Sequence, residues 1–161
     1  QERTVFHIFQ EYARSGLFEQ IYVVDNNILE DIVGDVPIAE HYNRINDILV
    51  TTVHMINVFN NSEAVVYTTS ESREINRIST FGIVDIEKED EKLFFSLDEI
   101  GEKKYYYAIP SERVKTDNTL LKKIKEITKG ATSSYGVYST EYENEYAYCT
   151  AKSSVVQKKD K

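Results

Sequence analysis

The stretch Ile21-Tyr22-Val23-Val24-Asp25-Asn26-Asn27-Ile28-Leu29-Glu30-Asp31-Ile32 decides the fold. Its first four residues are apolar and rich in β-branching. A run without polar alternation is what a strand covered on both faces shows. Asp25, Asn26 and Asn27 can each accept from the free N–H groups of a first helical turn. The chain is therefore predicted to pass from strand into a short helix, Ile28 to Val33, which Gly34 ends. In open α/β sheets, ligands collect at the carboxyl ends of strands, which makes Val24-Asp25-Asn26-Asn27 a candidate binding point. A plain Asx cap accounts for the same residues.

On the upstream side, Arg3 to Ser15 reads as an amphipathic helix with Val5, Ile8, Phe9 and Tyr12 at helical spacing, stopped at Gly16. On the downstream side, Pro37 suits the start of a helix. Behind it Ile38, Tyr42, Ile45, Leu49, Val53, Ile56 and Phe59 step by three or four, and the helix runs to Asn60. At 1.5 Å per residue it is about 34 Å long. Ile48, Val50, Met55 and Val58 widen its apolar surface, so a central helix covered on more than one side is expected.

Beyond it, Ala64 to Tyr67 is a brief extended piece. Ser70 is expected to cap a short helix from Glu71 to Ser79, and Thr80 to Glu87 alternates as a strand. Glu87 to Lys92 reads as a charged connector, and Leu93 to Leu97 fits either strand or helix. Tyr105 to Ile109 is a strand ended by Pro110. A helix through Leu120, Leu121, Ile124 and Ile127 follows, capped by Thr116, Asp117 or Asn118 and closed at Gly130. Tyr135 to Tyr142 and Tyr146 to Val156 read as two strands joined by a turn at Glu143-Asn144-Glu145. The tail, Gln157 to Lys161, is basic and expected to fray. The fold class is α/β shading into α+β, with no internal repeat.

Composition narrows the function. The chain has 161 residues, 41% of them hydrophobic, and a net charge of -8, enough apolar content for a packed core. The acidic balance argues against direct nucleic-acid binding, and no apolar run is long enough for a membrane span. One cysteine, Cys149, rules out an internal disulfide and a Cys-rich metal site, and a reducing, cytoplasmic setting is expected. His7, His41 and His54 lack metal-ligand spacing, so no metal site is expected. There is no nucleophile elbow and no Gly-rich phosphate loop. The chain begins at Gln1 and its only methionine is Met55, so a piece of a longer protein is expected.

Besides Asn26, two pairs can carry chemistry. Tyr42 and Asn46 lie one helical turn apart, an aromatic ring to stack on a base and an amide to bond its edge; a buried Tyr and a satisfied Asn produce the same spacing. Glu71 and Glu74, three apart on the expected helix, could polarise a water; acids complementing a first turn look the same. Tyr105, Tyr106, Tyr107, Tyr135, Tyr138, Tyr142, Tyr146 and Tyr148 fit a half-buried sheet face.

Taken in order, these segments resemble the second half of a tubulin/FtsZ superfamily protein. The stretch from Ile21 to Ile32 resembles the family's strand ending in Asp-Asn before a short helix. Tyr42-x-x-x-Asn46 resembles the head of its central core helix. Ser70-Glu71-Ser72-Arg73-Glu74-Ile75 resembles its acidic loop and following helix, with Glu where bacterial members carry Asp and with Thr69 near the place of their Asn.

The resemblance implies residues 1-37 as the end of a Rossmann-like GTPase domain, 38-60 as the core helix, 61-156 as a C-terminal activation domain with a mixed sheet packed by helices, and 157-161 as a basic tail. It implies a GTP-dependent, filament-forming protein, closest in character to plasmid- or phage-borne TubZ-like members, acting in DNA segregation or cell division. Asn26, Tyr42 and Asn46 would contact the guanine. Glu71 and Glu74 would complete the neighbouring subunit's site and orient the attacking water. GTP or GDP with Mg2+ belongs to the intact protein, with no cofactor expected in this segment alone. The implied partners are the protein itself, head to tail, and a DNA-bound adaptor gripping the tail. The competing expectation is a non-enzymatic interaction module on the same fold.

Overall fold

The computed structural model describes residues 1–70, 73–130 and 132–158. The first strand, β1 (Ile21–Tyr22), follows helix α1 (Glu2–Arg14) and leads into α2 (Asn26–Val33), as the apolar run and its Asx residues predicted. Gly34, at φ 72°, occupies the left-handed region that favours glycine and ends α2. The long helix α3 runs Ile38–Asn60 behind Pro37. Then come β2 (Val66–Tyr67), β3 (Ile78–Asp85), β4 (Asp90–Leu93) and β5 (Ile100–Pro110). Helices α4 (Ser111–Thr116) and α5 (Leu120–Ile127) cross over to β6 (Ser133–Thr140), and β7 (Tyr146–Ser153) is last.

Among the described residues the strands form one seven-stranded mixed sheet, ordered β1-β3-β7-β5-β6-β2, with β4 paired to β3. β1 runs parallel to β3 and β6 parallel to β5, while β7 is antiparallel to both β3 and β5. Both faces of the sheet are covered. Along β5 successive side chains alternate between them: Tyr106 and Ala108 meet the cluster under α2 and α3, while Tyr105, Tyr107 and Ile109 meet the one under α5. Tyr105, Tyr106, Tyr107, Tyr135, Tyr138 and Tyr148 are therefore core residues, more deeply placed than a half-buried face would have them, while Tyr142 and Tyr146 stay exposed. α1 docks beside the second cluster, setting Phe6 against a smaller group that includes Val23, Ile78 and Ala151.

Five expectations are corrected here. The strands at the C-terminus do not form a hairpin: β5 lies between β6 and β7, and Glu143-Asn144-Glu145 spans its width. Two adjacent tyrosine-rich runs carry no signal of which third strand separates them. The long helix is covered on one face only, burying Ile45, Thr52, Met55, Ile56 and Phe59, while Ile38, Tyr42 and Val50 stay 93%, 75% and 64% exposed. No helix spans the described part of Glu71–Ser79: residues 73–77 form turns, closed by Asn76 N–H donating to Arg73 C=O at 3.0 Å, and Ile78 already pairs with Ile21. Tertiary pairing with β1 and β7 overrides the weak local helix signal. The charged connector is shorter than expected, since Asp90 to Lys92 pair with Asp85 to Ile83 as β4. The tail does not fray at Gln157, which is 2% exposed.

One end of the sheet is tied by an ionic network. Arg113 on α4 bonds Glu87 (2.9 Å), Asp117 (3.0 Å) and Glu145, and Lys123 of α5 bonds Glu87 (3.0 Å). The Arg113 guanidinium, with the Thr119 N–H, holds the Asp117 carboxyl well below the usual carboxylate range; Lys123 and then Arg113 lower Glu87. A carboxylate whose folded pKa is depressed adds stability above its unfolded value, about 4, and loses it as pH falls through the folded value. In thermal melts, Arg113→Ala should therefore melt below the parent chain at pH 7, with the gap narrowing below about pH 4. An equal gap at both pH values would contradict this.

Candidate functional site

The end of β1 is held from two sides. Val23 N–H donates to Ser79 C=O and Asp25 N–H to Phe94 C=O, both at 2.7 Å, and the Thr80 hydroxyl donates to Val23 C=O at 2.8 Å. Asp25 performs the cap, accepting from the Asn27 N–H at 2.9 Å. Capping thus falls to Asp25, and Asn26 is left exposed at the head of α2. It borders a cavity of about 440 Å³, whose walls include Asn27, Phe6 of α1, Phe95 and Lys158. No residue of α3 lines that cavity among the described residues.

α2 and α3 pack as a helical hairpin across the four residues 34–37, and Glu30 and His41 face each other at 3.4 Å. Asn26 lies one turn before Glu30 on α2, whereas Asn46 lies five residues, more than one turn, beyond His41 on α3, and among the described residues no hydrogen bond joins the two. Tyr42, Asn46 and Val50 follow one another at four-residue spacing on the uncovered side of α3. The His41 ring meets Tyr42 edge-on, with centroids 5.5 Å apart, which leaves the tyrosine 75% exposed. Among the described residues neither the Asn26 nor the Asn46 carboxamide has a hydrogen-bond partner. An exposed aromatic ring with an open amide four residues along the same helix can take a planar heterocycle with a polar edge.

The acidic residues follow α3 in the sequence. Glu71 falls outside the described residues, and Glu74 is exposed in the turn before β3. Sequence reasoning passed over Glu63. The C-terminal turn of α3 is closed by the Asn61 amide donating to Asn57 C=O at 2.8 Å and the Ser62 hydroxyl donating to Val58 C=O at 2.6 Å. Glu63 follows directly and is exposed. An acid here opposes the helix dipole, so helix stability does not account for it. It shares a cavity of about 470 Å³ with Asn60, Thr69, Lys104 and Tyr138. The available signal was an acid placed immediately after a capped helix end, where a base would be favoured.

The remaining chemistry-bearing groups have structural places. Cys149 is fully buried, and burial pushes its thiol up, which keeps it protonated and inert. Gly82 packs on it, and a Cβ at Gly82 would come within 2.7 Å of the sulfur. Among the described residues no group of three His, Cys, Asp or Glu could hold a metal ion, and no helix is long and apolar enough to cross a membrane.

No protein-family model and no curated protein matches this sequence. Solved structures do match by shape. An empty FtsZ dimer from M. jannaschii is similar over 91% of this chain and 50% of that one, with a TM-score of 0.59 and 12% identity. The four-stranded filament of TubZ-Bt is similar over 94% of this chain and 48% of that one, with a TM-score of 0.57 and 17% identity. The GDP-form protofilament of Bacillus thuringiensis serovar israelensis TubZ is similar over 96% and 49%, with a TM-score of 0.56 and 18% identity. The chain thus shares the FtsZ and TubZ fold and spans about half the length of those chains.

Proposed function

We propose that this chain is the core-helix and C-terminal half of a GTP-dependent, filament-forming protein. The observation that carries the reading is the layout of α3. A free ring and free amides, Tyr42 and Asn46, stand near one end, and acids follow the other end of a helix about 34 Å long. Groups so far apart serve one reaction only if two copies contribute to it. The fold shared with FtsZ dimers and TubZ filaments supports head-to-tail stacking as the way they meet.

The residues fit a guanine nucleotide: Tyr42 offers a stacking face, and Asn26 and Asn46 offer unengaged amides for base edges. The nucleotide supplies the phosphoanhydride that is cleaved and, with its Mg2+, the phosphate charge. This chain's part is to hold the base and to deliver carboxylates, Glu71 and Glu74 with Glu63 beside them, to the next subunit, where they orient water. Domain limits at 37/38, 60/61 and 156/157, a cytoplasmic setting, a role in DNA segregation or division, and an adaptor on the basic tail belong to the same proposal.

Phosphate release from GTP measured on the 161-residue chain and on the parent protein tests the reading. The chain alone should show no turnover, and the parent should hydrolyse GTP in step with assembly. Turnover by the chain alone would overturn the split site, and a parent without nucleotide dependence would favour an interaction module.

A further inference from the structure

The C-terminal segment is bound into the body by two glutamines. Gln10 of α1 is fully buried and reads the backbone of Gln157 as a neighbouring strand would. Its Oε1 accepts from the Gln157 N–H at 2.6 Å, and its Nε2 donates to the Gln157 C=O at 3.0 Å. Gln157 repeats the arrangement one step on. Its Oε1 accepts from the Asp98 N–H at 2.6 Å, and its Nε2 donates to Asp98 C=O (3.3 Å), Ser153 Oγ (3.2 Å) and Val155 C=O (2.8 Å). The Ser153 hydroxyl also donates to Asp98 C=O, at 2.7 Å. Two carboxamides, both buried, thus join α1, the segment after β7 and the loop after β4, where Asp98 itself is exposed. Buried polar networks satisfied on every side are rigid, and removing one member strands the others.

The position of this latch gives it a consequence. The residue after Gln157 is Lys158, which lines the cavity at Asn26 together with Phe6 of α1 and Phe95 of the loop beyond β4. Three walls of that cavity therefore belong to the three segments the glutamines join. We propose that residues 154–158 act as a strap: Gln157 seats α1, closes the cavity at the carboxyl end of β1, and links any pull on the basic tail to the corner that holds Asn26. The link to nucleotide binding rests on the function proposed above, whereas the strap itself does not.

Hydrogen exchange on the 161-residue chain, with no nucleotide present, separates the two. Gln157→Ala should raise exchange about tenfold or more in α1 and at the Asp25–Leu29 corner, as expected when buried amides lose their partners, and should leave α5 and β6 near their parent rates. Gln10→Ala should do the same, and the double variant should be little worse than either single one, because both remove one network. Deleting residues 158–161 should keep α1 protected, since the latch stops at Gln157. Unchanged exchange in α1, loosening of α1 without the Asp25–Leu29 corner, or loss spread evenly over α5 and β6 would each overturn the strap. Failure of the parent to bind GTP would leave these results standing.

Discussion

Replacing Glu71 and Glu74 together with alanine in the parent protein is expected to lower GTP turnover by about 10²- to 10³-fold while filaments still form. Glu74 is exposed in a turn, so its removal should not disturb folding. What they would lose is the orientation of a water at the next subunit's phosphate, which acts on the rate and not on assembly. Phosphate release and pelleting of filaments, measured on the same samples, read the two separately. Glu63→Ala belongs in the same series, because Glu63 stands closest to the end of α3. Mixing the acid-less variant with a Tyr42→Ala, Asn46→Ala variant should recover part of the turnover, since some interfaces then pair an intact acidic end with an intact base-holding end. Full turnover in the double alanine variant, or no recovery on mixing, would count against a site shared between copies.

The second large effect concerns stability. Phe59→Ala is expected to cost about 3–5 kcal/mol, because Phe59 is 3% exposed and stacks on Tyr138 at 4.7 Å and Tyr106 at 6.3 Å. In a chain of this size that corresponds to a drop in Tm of roughly 10 °C. Val50→Ala, on the same helix, should change the melting of this chain by no more than about 0.5 kcal/mol, since Val50 is 64% exposed. Similar losses for both variants would mean that α3 is seated through a different face.

The elements with strong local signals were legible in the sequence. The β-branched run at Ile21 to Val24, the Asp25 cap and the apolar steps from Ile38 to Phe59 each carry their own physics, and the structure has β1, α2 and α3 where those signals put them. Pairings across distance were not legible. Nothing between Tyr135 and Val156 says that β5 separates the two final strands, because alternation sets which face a residue takes and leaves its neighbour open. Burial was legible only on average: Tyr42 and Phe59 sit at equivalent helical spacing, yet one is exposed and the other enclosed. For the site, Asn26, Tyr42 and Asn46 could be singled out as residue types, and the structure adds that their polar groups are unengaged. Glu63 was passed over because a single acid after a helix end carries no periodic signal. Gln10 and Gln157 were invisible, since a network joining residues 147 apart leaves no local trace.

β7 is the last of the described strands and lies in the interior of the sheet, bonded to β3 on one side and β5 on the other. During synthesis the earlier strands therefore have no direct ladder joining the β1–β3–β4 portion to the β5–β6–β2 portion until residues 146–153 leave the ribosome. Joining the two portions must wait for residues 146–153, and its long-range contacts favour slow folding. A prematurely terminated product ending before Tyr146 would carry two unjoined sheet edges and be an early target for chaperones and proteases.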